Sequence, residues 1–120
     1  MKKKKIEDPI LGFHWHLQFG GCENKAIKQF CKLYDFPFPE GELDLAGGFT
    51  TNIKYPYVGL IWVRQDRYAA TIAHECAHAT VHVCRVLDMD PREANEFQAS
   101  YTGYLVNEFF KMMEPKRKKK

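Results

Sequence analysis

The 120-residue chain predicts an α+β domain, a small sheet packed on three helices, and three observations predict it. Apolar residues alternate along 13–19 and mark a short strand. Two β-prone runs, 49–53 and 57–63, flank Lys54-Tyr55-Pro56 and mark a hairpin. Three further stretches carry apolar side chains at helical spacing. An apolar fraction of 45% is that of a folded globule, and the length suits one domain.

Residues 2–5 are all lysine, and residues 116–120 are five more bases. Taking these nine from eighteen leaves nine bases against fifteen acids, so residues 6–115 carry about −6. The chain thus reads as one acidic domain, 6–115, between a basic N-terminal tail, 1–5, and a basic C-terminal tail, 116–120. Such tails can attract nucleic acid. Here no aromatic residues interleave with the lysines and the acidic body repels a phosphate backbone, so solvated ends are expected. The start MKKKKIEDPILGF imitates the charged beginning of a signal peptide, but Glu7, Asp8 and Pro9 interrupt the apolar run that export needs. No apolar run is long enough to span a membrane. The four cysteines are then expected to be reduced thiols in a cytoplasm, and no C-x-x-C pair offers a thiolate zinc site.

In the first strand Phe13, Trp15, Leu17 and Phe19 share one face, and His14, His16 and Gln18 the other. Two histidines on one strand face can hold a metal, but these read as the polar side of the strand. Gly20-Gly21 ends it. Ala26, Ile27, Phe30, Cys31 and Tyr34 recur at helical spacing and predict a helix over 22–34. Residues 35–45, with two prolines and a glycine, read as an irregular connection leading to the hairpin.

The second helix holds the chemistry. No Gly or Pro interrupts 65–90, Asp66 can cap it, and it contains His74-Glu75-Cys76-Ala77-His78, an H-E-x-x-H pattern. Residues four apart share a helix face, so His74 and His78 can meet one zinc ion. Glu75 is one step around, beside the ion, where a carboxylate can take a proton from a metal-bound water. Asp90, Pro91 and Glu93 resemble a cap, a first helical position and a capping-box partner for a third helix over 91–113. Ala94, Phe97, Tyr101, Tyr104, Leu105 and Phe109 would be its buried side.

A third protein ligand is needed. His82 lies about 12 Å from His74 along a straight helix. Val81 and Cys84 replace the glycine and histidine of H-E-x-x-H-x-x-G-x-x-H, which excludes that arrangement. Counting back from the turn between antiparallel helices puts Glu96 roughly 6 Å, and Glu93 roughly 10 Å, out of level with His78. Glu96 is therefore the expected third ligand and Glu93 the alternative.

With HECAH followed by a glutamate on the next helix, the chain resembles gluzincin-type zinc metallopeptidases. GLIWV, TIAHECAHATVH and NEFQASYTGYLVNEF are also similar to small HExxH proteins of bacteriophages and prophages, where the glutamate matching Glu96 is taken as the third ligand. A second likeness, through His74, Glu75, His78, His82 and Glu93 to Phe97, is to the short zincins that cleave phage repressors, and it favours Glu93. These resemblances imply a minimal zincin-like domain with one zinc ion, a peptide or host or phage protein as substrate, and a location in the host cytoplasm. They also imply substrate pairing with an edge strand, for which 57–63 is the candidate. Tyr101 and Tyr104 are the nearest electrophiles, although both read as core. Two rival classes stand beside this reading. One is a silent or structural-zinc binding module of a mobile element, with His82 or Cys84 closing the site. The other is a nucleic-acid-associated protein acting through its lysines.

Overall fold

A computed structural model describes residues 1–36, 48–51, 57–65, 69–90 and 92–113. The elements run β1 (Lys2–Glu7), β2 (His14–Phe19), α1 (Glu23–Tyr34), β3 (Gly48–Thr50), β4 (Val58–Val63), α2 (Ala69–Val86) and α3 (Asn95–Met113). The fold is α+β, as the patterning predicts. The Lys54-Tyr55-Pro56 turn, the Asp66 cap, Pro91, the bases at 116–120 and most of the irregular connection lie outside the described residues.

The sheet has four strands in the order β1-β2-β4-β3. β1 and β2 pair antiparallel, with Lys5 opposite His16 and Ile6 opposite Trp15. β2 and β4 pair parallel, with α1 in the crossover, and β3 closes antiparallel on β4. Alternation then sorts the side chains. Trp15, Leu17, Ile61 and Val63 face α2 and α3, where Ile72, Cys76, Ala79, Val83, Tyr101, Leu105 and Phe109 complete the main core. Val58 and Leu60 face α1 and pack on Ile27, Phe30 and Cys31. Both faces of β4 are covered, so every one of its residues is buried. Gly59 is required there, because a Cβ at this position would collide with the Trp15 indole.

Two expectations need correction. Residues 2–5 are not a solvated tail: they are the outer part of β1. A run of lysines has little intrinsic strand preference, and tertiary partners supply what propensity lacks. Asp8, almost fully buried, closes the β1–β2 turn by accepting backbone N–H bonds from Ile10, Leu11, Gly12 and Phe13. Lys4 pairs with Glu108 at 3.0 Å, and Lys2 donates to the Met113 carbonyl at 2.8 Å. Second, β4 is not an edge strand. Among the described residues the open edges of the sheet belong to β1 and β3.

The third helix also begins later than its capping box suggests. The Asp90 carboxylate accepts from the Arg92 backbone N–H at 2.9 Å and pairs with its guanidinium. Those bonds, which hold the carboxyl below its usual range, make a turn before the helix, and α3 starts at Asn95. Among the described residues no helix is long and apolar enough to cross a membrane.

Candidate metal centre

α2 packs over β3 and β4, with Ile72, Cys76, Ala79 and Val83 turned into the core. At 100° per residue that leaves His74 and His78 on the outer side and Glu75 at the margin facing β3. Both histidines are exposed, and their Nε2 atoms are 3.0 Å apart with the rings nearly perpendicular. Two ligands of one tetrahedral zinc at 2.0–2.1 Å would stand about 3.4 Å apart, so small rotations bring this pair to chelating distance.

Glu75 is buried, and β3 holds it. The Thr50 hydroxyl lies 2.7 Å from Glu75 Oε1 and 3.0 Å from the Glu75 carbonyl oxygen. Gly48 provides the room: a Cβ there would stand 2.6 Å from Glu75 Cγ. The HECAH stretch offers no hint of either contact, because both come from a strand some 25 residues earlier in the chain.

No protein-family model, curated protein or solved structure matches this chain.

The third ligand is not brought to the pair. α3 returns along α2, and the Thr80 and Thr102 hydroxyls meet at 2.7 Å. At about 1.5 Å per residue, His78 and Glu96 lie on opposite sides of that contact and about 12 Å apart in level. Glu96 is exposed in the first turn of α3, and Glu93 is exposed in the connection. The count from the turn understated the offset because α2 ends at Val86 and α3 begins at Asn95, so the connection carries the glutamates further from the pair. Among the described residues no three His, Cys, Asp or Glu side chains form a metal-sized cluster. The histidine pair fits a metal; the two glutamates do not join it.

His82 and Cys84 do not close the site either. Cys84 is fully buried, and burial raises its thiol pKa. His82 is half-buried, its enclosed Nδ1 has no hydrogen-bond partner among the described residues, and burial, with Arg85 and His78 nearby, lowers its pKa to about 4. Tyr101 lies in the core, donating to Asp8 Oδ2 at 2.7 Å and accepting from Trp15 Nε1 at 2.9 Å. Tyr104 reaches toward the Glu7 carbonyl. Both hydroxyls are thus engaged on the β1–β2 side of the fold. No disulfide joins any of the four cysteines, all of which are among the described residues.

Proposed function

We propose that the chain is a zincin-like metallohydrolase that cleaves peptide bonds, with His74 and His78 holding one zinc ion and Glu75 as general base. The observation that carries this reading is the convergence of the two Nε2 atoms at 3.0 Å beside a carboxylate fixed by Thr50. A bound zinc would supply a polarised water of lowered pKa. The Glu75 carboxylate would accept a proton from the attacking water and return it to the leaving amine nitrogen. Thr50 limits its rotation, so the carboxylate is oriented before substrate arrives. β3, with its open edge beside Glu75, takes the role that the sequence assigned to 57–63: an extended substrate could pair with it. The same reading keeps the phage-protein likeness, a peptide or protein substrate and a cytoplasmic location as proposals.

The test uses zinc content and peptide cleavage together. The purified protein should bind about one zinc, the double variant His74→Ala/His78→Ala should bind none, and Glu75→Gln should keep zinc while losing cleavage. Zinc retained by the double variant, or cleavage surviving Glu75→Gln at the wild-type rate, would refute the assignment.

A further inference from the structure

His16, on the opposite face of the sheet from α2, belongs to a second candidate site. Among the described residues α1 alone covers this face, and it packs over β4. The β1–β2 half is left as a groove of about 330 Å³, at the small end of the range for ligand pockets. Lys3 and Lys5 form one wall, because alternation along β1 turns them to this side while Lys2 and Lys4 bond to α3. Phe30, Leu33 and Gln29 of α1 form the other wall, and His16 lies on the floor.

The chemistry of the groove is asymmetric. Among the described residues no acidic side chain lines it and Lys5 makes no ion pair. Among the described residues Lys3 reaches the neutral Gln29 amide oxygen alone, at 3.4 Å. The far wall is apolar, and Leu33 is 66% exposed although it is a leucine at the mouth of a cavity. The His16 ring packs edge-on against Phe30 and Tyr34, with Nε2 on the Tyr34 hydroxyl. Burial, reinforced by Lys5, His14 and Lys3, lowers its pKa to about 4, so at neutral pH it adds polarisable surface and no charge. Lysines on an edge strand also deter strand-to-strand aggregation, but that role does not require an adjoining apolar wall.

We infer that the groove between β1 and α1 binds a small organic anion with an apolar body, of the class of medium-chain carboxylates, its charge between Lys3 and Lys5 and its chain along Phe30 and Leu33. Two positive groups and one apolar wall suit a ligand that is charged at one end. The volume excludes a polymer lying wholly within it. This site is separate from the metal centre and does not rest on the peptidase reading.

Octanoate is the probe, titrated into the full chain at physiological salt and followed by NMR shifts of the His16 and Phe30 rings and the Leu33 methyls. Saturable one-to-one shifts confined to these residues are expected. Octanol, with the body but no charge, and acetate, with the charge but no body, should each bind at least about tenfold more weakly. Lys3→Gln/Lys5→Gln should weaken octanoate by about tenfold or more. Leu33→Ser, at an exposed position that leaves the core untouched, should weaken it severalfold while leaving the backbone amide spectrum unchanged. If the double lysine variant fails to fold, the Leu33 variant and the octanol comparison still decide the matter. Absence of saturation at millimolar octanoate, equal affinity for octanol, or unchanged affinity in Leu33→Ser would overturn the inference. So would shifts spread over both faces of β1 with a polyanion preferred.

Discussion

The Thr50 hydroxyl spans both ends of Glu75, 2.7 Å from its Oε1 and 3.0 Å from its carbonyl oxygen. One hydroxyl proton is shared between a buried carboxylate and a helix carbonyl, so strand β3 and helix α2 are coupled at the residue proposed to move protons. Thr50→Val keeps the shape and removes the donor. It should cost about 1 kcal/mol of stability, keep zinc, and lower the peptide-cleavage kcat by on the order of tenfold with KM little changed. Thr50→Ser should restore most of the rate. An unaltered kcat in Thr50→Val, in a protein that Glu75→Gln inactivates, would show that the bond is structural only.

The glutamates of the connection and of α3 report whether the helices rearrange around metal. With Glu96 about 12 Å out of level with His78, Glu93→Gln and Glu96→Gln should each leave zinc affinity within about threefold of wild type. A competition titration against a chelator measures this. A loss of tenfold or more in one variant would mean that its glutamate swings to the metal when zinc binds.

Tyr101 ties three elements together, through Asp8 in the β1–β2 turn and Trp15 in β2. Tyr101→Phe keeps the ring but leaves two buried polar partners without the shared hydroxyl. The expected loss is about 1–3 kcal/mol, read as a lower denaturant midpoint at an unchanged m-value. A neutral result would mean that water replaces the hydroxyl.

Acid should destabilise the fold through His16. The unfolded chain protonates this imidazole near the ordinary histidine value of 6.5, whereas the folded chain does not until about 4. Protonation therefore favours the unfolded chain in that window, and the His16 contribution declines as pH falls from 6.5 to 4, with no further change below. Lys3, Lys5, His14 and the Tyr34 hydroxyl face the ring. His16→Gln should flatten the denaturation profile between pH 6.5 and 4. An unaltered slope would place the acid sensitivity elsewhere.

Helices and hairpin were legible because their signals are local. Ala26, Ile27, Phe30 and Cys31 repeat every three or four residues, and all are buried in α1. His74 and His78 could be paired from spacing alone, since a helix sets that distance. β1 was illegible because Lys2 to Lys5 carry no apolar alternation; its place is set by the Asp8 turn and by Glu108, a hundred residues away. The unbroken apolar run of β4 did carry a usable signal, since strands covered on both faces lose their alternation. Thr50 and the offset of Glu96 depend on how elements dock, and no short pattern in the chain records that.

The bonds from Lys2 to the Met113 carbonyl and from Lys4 to Glu108 join sequence positions 111 and 104 residues apart. During synthesis β1 leaves the ribosome before the other described elements, yet its anchoring partners in α3 leave after all of them. Until they arrive, Trp15 and Leu17 lack the helix that seals their side of the sheet, and the nascent chain must carry that apolar surface exposed. Contacts of such separation are costly to close and slow to form. The β1–α3 side of the core can therefore close only once the chain has been made through Met113.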